Sequence, residues 1–173
     1  MSSFRLAVDK ALAAVPPFSR PTSEAILEIA YLAMAVDEQL HDEEIDAFSV
    51  IAASMIGGRA KASSTAYRGS NDKGGPRELD DAALRMWLDR FSGDLDRESI
   101  QQRLQAAVSS LGDDRNARLA AYRVACLMAM SDLDAADREF EFDLDLIATL
   151  GLTQDEADRI VEEVNAAVAP TEN

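Results

Sequence analysis

The sequence predicts an all-α fold: a bundle of seven to eight helices built from two pseudo-twofold-related helix, acidic turn, helix repeats. Three observations predict it. No segment alternates apolar and polar residues with the period of a strand over a useful length. Successive segments instead place apolar residues at the spacing of one helical face. The chain also repeats itself at an offset of 95 residues, which lays Asp37, Asp42 and Glu44 on Asp132, Asp137 and Glu139. The same offset lays Ala30, Leu32 and Ile45 on Ala125, Leu127 and Phe140, so carboxylates recur with carboxylates and apolar residues mostly with apolar ones.

Composition sets limits on the rest. A chain of 173 residues is the size of one domain, and 47% hydrophobic residues supply a core. The 17 basic and 32 acidic residues give a net charge of -15 and a pI near 4.3. That balance keeps a protein soluble and repels phosphate backbones and anionic lipid. Nucleic acid binding and membrane insertion are therefore not expected, whereas divalent cations or a basic protein partner are. The single cysteine, Cys126, lies among Val124, Leu127 and Met128 and is expected to pack as a small apolar residue. Charges within the first ten residues interrupt any apolar signal core, and no uncharged run reaches the roughly 18 residues of a membrane span, so the expected location is cytoplasmic.

The elements follow in order. Residues 4–15 read as a helix stopped by Pro16 and Pro17, with a linker through Pro21. Thr22 is positioned to cap a helix whose inward face is Ile26, Ile29, Ala30, Ala33 and Met34. Leu27, Tyr31 and Leu32 widen that face, which places this helix near the centre of the fold, ending at about Asp37. The next helix runs over residues 42–56, with Ile45, Phe48, Ala52 and Met55 inward, and Gly57 and Gly58 stop it.

Residues 57–78 lack apolar periodicity and read as a flexible basic insertion. Arg59, Lys61, Arg68, Lys73 and Arg77 against Asp72 and Glu78 give it a charge of +3, which leaves -18 of the total -15 on the remainder. Such a segment is either a tolerated surface insertion or a flap over an acidic site. A helix carrying Leu84, Trp87, Leu88 and Phe91 and another carrying Ile100, Leu104, Ala107, Val108 and Leu111 follow, separated by Ser92, Gly93 and Asp94.

The second copy begins after Gly112, Asp113 and Asp114. Its first helix places Leu119, Tyr122, Cys126, Ala129 and Met130 on one face, and its second places Phe140, Leu144 and Ile147 inward before Gly151. Thr153 and Glu156 have capping-box spacing and open a last helix with Ile160, Val161, Val164 and Val168, beyond which residues 170–173 form a tail.

The acidic turns are the candidate site. In each copy one acid, Asp37 or Asp132, ends a helix, and two more, Asp42 and Glu44 or Asp137 and Glu139, open the next. A tight turn folds such positions back on one another, and hard cations such as Ca2+ or Mg2+ take several oxygen ligands of this kind. The helix dipole favours Asp42 and Glu44 but not Asp37. The competing explanation is capping: Glu44 and Glu139 sit third in their helices, although His41 and Ala136 replace the usual Ser or Thr.

Other chemistries lack their residues. An EF-hand needs glycine where Asp137 stands, and a terminal acid where the first copy has Phe48. Glu38 and His41 have the Glu-x-x-His spacing of di-iron bundles, which use the motif twice, whereas this chain has one His. Nucleophilic catalysis with a His base has little to be built from. A metal-dependent hydrolase has no identifiable base beyond the carboxylates.

The stretch Met34-Ala-Val-Asp37-Glu-Gln-Leu-His-Asp-Glu-Glu44-Ile45, after an Ala/Leu-rich helix, resembles the A-D-G-x-(I/V)-x-x-x-E signature of TerB-like domains. These occur in tellurite-resistance proteins and in the N-terminal part of DjlA-type co-chaperones. Met130-Ser-Asp132 through Glu139-Phe140, with Leu150 to Glu156, resembles the closing half of the family repeat, so the likeness spans residues 22–168. The family's glycine after the Asp is Glu38 in one copy and Leu133 in the other. The resemblance implies an all-helical domain with divalent-metal ligands at Asp37, Glu44, Asp132 and Glu139, and it implies no catalytic activity.

Two functional expectations result. The first is a non-enzymatic stress-response adaptor that binds a divalent cation at its acidic turns. The second is a metal-free interaction scaffold whose acidic face docks a basic partner.

Overall fold

A computed structural model describes residues 2–36, 40–57, 81–131 and 138–169, which form eight helices with no strand among the described residues. They are α1 (Ser2–Leu12), α2 (Arg20–Met34), α3 (Asp42–Gly57), α4 (Asp81–Leu95), α5 (Ile100–Leu111), α6 (Arg115–Ala129), α7 (Arg138–Leu150) and α8 (Gln154–Val168). The expected all-α bundle is thus the observed one. Of the 57–78 insertion only Gly57, the last residue of α3, is described, and the 170–173 tail lies outside the described residues.

α2 and α6 form the spine and make the most extensive helix contact in the molecule. They are equal in length and stand 95 residues apart at both ends, 20 to 115 and 34 to 129. Their caps also correspond. Ser19 accepts from the Thr22 N–H, and Asp114 accepts from the amides of Asn116 and Ala117 at 3.0 and 3.1 Å. The residues that end them, Ala35 and Met130, share one backbone conformation, with φ -86 and ψ -1 beside φ -85 and ψ -6. The duplication read from the sequence is therefore also a duplication of helix length and termini.

Burial follows from composition. α2 buries ten of its fifteen residues, among them Ile26, Leu27, Ile29 and Leu32, and α6 buries Tyr122, Val124, Leu127 and Met128. Each large aliphatic side chain removed from water contributes about 2 kcal/mol. α5 packs on α2 at one side of this spine, α8 packs on α6 and α1 at the other, and α3 and α7 each follow their own spine helix. Tyr31 of α2 and Phe91 of α4 add a tilted ring pair with centroids 5.5 Å apart.

Several boundaries differ from the sequence reading. α1 ends at Leu12 rather than 15. Ser19, not Thr22, caps α2, and Pro21 lies within its first turn, where a missing N–H removes no helical bond. α2 stops at Met34, short of Asp37. α4 continues through Ser92 and Gly93 to Leu95. On α7 the inward face is rotated: Leu146 and Leu150 are fully buried, whereas Leu144 is 48% exposed. The capping box at Thr153 is present, and Ser99 with Gln102 forms a second one at α5.

Gly151, at φ +64, ends α7 in the left-handed region. Its carbonyl accepts from Arg115 Nη1 at 2.9 Å and that of Leu150 from Arg118 Nη1 at 3.1 Å, so two guanidiniums from the start of α6 satisfy the C-terminal end of α7.

Candidate functional site

Of the six acids expected to form the site, Asp42 and Glu44 are described with their side chains. Asp37, Asp132 and Asp137 lie outside the described residues, as does the side chain of Glu139, whose backbone is in the first turn of α7. Asp42, Glu43 and Glu44 all lie in the first turn of α3. Asp42 is exposed, whereas Glu44 is buried. Glu44 turns back along the chain, and its Oε2 accepts the His41 N–H at 2.9 Å. This is the glutamate half of a capping box, completed without a Ser or Thr at the cap. One oxygen of the carboxylate is therefore engaged in holding the helix start.

Among the described residues no three His, Cys, Asp or Glu side chains gather as a metal-binding group. The donor chemistry of Asp42 and Glu44 fits a hard cation, and the other expected ligands, Asp37, Asp132, Asp137 and the Glu139 side chain, lie outside the described residues.

A second polar group escaped the sequence reading. Tyr122 and Cys126, one turn apart on α6, line a common pocket with Asp143 of α7. Burial pushes the Asp143 carboxyl above its ordinary value, and the nearby Tyr122 hydroxyl only partly offsets this. The Cys126 thiol is pushed up to about 12, by burial first and the Asp143 charge next. It is a neutral thiol near pH 7, not a nucleophile. The Tyr122 hydroxyl is likewise raised, chiefly by burial.

The signal for this group was present in the repeat. The offset of 95 residues lays Tyr122 on Leu27, Cys126 on Tyr31 and Asp143 on Phe48. Leu27, Tyr31 and Phe48 are all buried in the first copy, so the second copy carries an acid and a thiol at core positions.

The chain matches no family model, no curated protein and no solved structure. No helix of the described residues is long and apolar enough to cross a membrane.

Proposed function

We propose that the chain is a non-enzymatic helical adaptor of TerB-like type that binds a divalent cation, Ca2+ or Mg2+, at its acidic turns and acts in a stress response. The observation that carries this reading is the equivalence of α2 and α6 in length and in the conformation that ends them. Two equivalent helix ends each lead into a turn with an acid at the same place, and this supports a duplicated binding element over two unrelated loops. Asp37, Asp42, Glu44, Asp132, Asp137 and Glu139 would supply the oxygen ligands. Bound cation would offset the mutual repulsion of carboxylates in a chain of net charge -15 and stabilise the fold by mass action.

Calorimetric titration of calcium, magnesium and manganese into metal-stripped protein tests this, beside a variant with Asp37, Glu44, Asp132 and Glu139 changed to Asn or Gln. Saturable binding that the variant loses is expected. Equal, unsaturable heats from both proteins would sink the cation reading.

The capping contact of Glu44 favours a second reading, because a carboxylate that already holds a helix start need not have a metal to account for it. In that reading the acidic face docks a basic protein partner without metal, and binding weakens steeply with salt.

A further inference from the structure

The Tyr122, Cys126 and Asp143 group lines a cavity of about 290 Å³ between α2, α6, α7 and α8. Ala33 of α2, Ala125 and Met130 of the α6 side, Phe142 and Leu146 of α7, and Val161 of α8 form the apolar remainder of its wall. We propose that this cavity is a binding site for a small organic cation, an amine on a compact apolar body, with the ammonium held by Asp143 and the body against the alanine, methionine and phenylalanine wall.

Size argues for a ligand. An apolar cavity of roughly 150 Å³ suffices for benzene, so this one has room for a ring and a short chain. It is also close to the lower end of ordinary ligand pockets, which start at about 300 Å³, and it combines an apolar wall with a few convergent polar groups.

Charge argues for a cation. Among the described residues Asp143 makes no ion pair. Arg123, the cation nearest the Cys126 thiol in its electrostatics, is engaged by Glu163 and the Ala11 carbonyl. A half-buried carboxylate in an apolar wall gains more from an ammonium than from a neutral head, and an anionic head would be repelled both here and by the net charge of -15. The raised carboxyl of Asp143 is consistent with an acid short of positive partners. The site shares no residue with the acidic turns, so the proposal does not rest on their cation binding.

Phenethylamine, 2-phenylethanol and phenylacetate carry the same ring and chain with a positive, neutral and negative head. Each is titrated to millimolar concentration into metal-free protein, with binding followed by the NMR shift of the Met130 methyl. The amine is expected to saturate, to bind about tenfold more tightly than the alcohol, and to outcompete the acid entirely.

Asp143→Asn should reduce the amine to the affinity of the alcohol. Ala129→Trp, at an exposed position of the wall, should abolish both without disturbing the core. Asp42→Asn should leave amine binding unchanged. The proposal is overturned by absence of saturable binding of any probe, by equal binding of all three, or by amine affinity that survives Asp143→Asn in the folded variant.

Discussion

Glu28 of α2 and Arg103 of α5 form an ion pair inside the bundle, with Arg103 Nε donating to Glu28 Oε1 at 2.8 Å and Nη2 donating to the same oxygen. Glu28 is only 5% exposed. Arg103 also lies 3.4 Å from Glu98 and 3.8 Å from Asp94, so it has acids in reserve, whereas Arg103 is the ion-pair partner of Glu28 among the described residues. The repeat partner of Glu28 is Arg123, of opposite charge, which binds Glu163 of α8 and the Ala11 carbonyl of α1. At this repeat position each spine helix thus carries an ionic clamp on a helix beside it, built from opposite charges.

The asymmetry of the first clamp predicts unequal losses. Arg103→Met strands a buried carboxylate and should cost about 3 kcal/mol, whereas Glu28→Met leaves Arg103 its other acids and should cost about 1 kcal/mol. The double variant, with neither charge, should recover most of the loss. Urea unfolding measures all three, and equal small losses for the two single variants would refute a buried clamp.

Glu44 and Asp42 separate capping from metal binding. Without metal, Glu44→Ala should lower stability by about 1 kcal/mol because the His41 N–H loses its acceptor. Exposed Asp42→Asn loses only a dipole interaction, about 0.5 kcal/mol. If the turns bind calcium, Asp42→Asn should nevertheless remove much of the rise in Tm that calcium produces in the wild type. A calcium-induced rise that Asp42→Asn leaves intact would exclude Asp42 as a ligand.

Thr153 and Glu156 govern the acid behaviour of α8. Arg115, then the backbone and side chain of Thr153, hold the Glu156 carboxyl at about 2 against an ordinary 4.5. Because the folded value is the lower one, the contribution is present above about 4.5 and is lost as pH falls toward 2. Glu156→Gln should therefore flatten that part of the acid-unfolding curve. Thr153→Ala should cost about 1 kcal/mol at neutral pH, and circular dichroism against pH checks both.

Asp143 acts in the opposite direction. Its folded carboxyl is raised above the ordinary 3.8, chiefly by burial, so its favourable contribution is complete below 3.8 and disappears as pH rises through the folded value. Near neutral pH the ionised acid costs stability. Asp143→Asn removes the buried charge at nearly constant shape and should raise Tm at pH 7, with the advantage vanishing below pH 3.8. A lower Tm for the variant at pH 7 would contradict this.

Helix existence was legible because the apolar spacing of α2, α6 and α8 is strong, and the 95-residue repeat was legible because it joins acids to acids. Termini were harder. Pro16 and Pro17 read as the stop of α1, yet the helix ends earlier at Leu12, and Ser19 competes with Thr22 for the same cap, a contest that side-chain geometry decides. Gly93 reads as a break, but a helix packed through Trp87 and Phe91 tolerates it. Within the candidate site, the third-position Glu44 was recognisable as a cap, whereas the burial of Asp143 was hidden because its helix carries apolar residues on more than one face.

That ambiguity on α7 yields the last prediction. The run Phe142, Leu144, Leu146 and Ile147 allows two inward faces, and the repeat offset decides between them by laying Leu146 on the fully buried Ile51. Leu146 is 1% exposed and touches both the core and the cavity, whereas Leu144 is 48% exposed. Leu146→Ala should therefore cost about 3 kcal/mol through lost burial and the void it leaves, and Leu144→Ala should stay within about 0.5 kcal/mol of the wild type. Urea unfolding of the two variants distinguishes the faces. If Leu144→Ala were the more damaging, α7 would be turned toward the face its sequence first suggests, and Asp143 would move away from Tyr122.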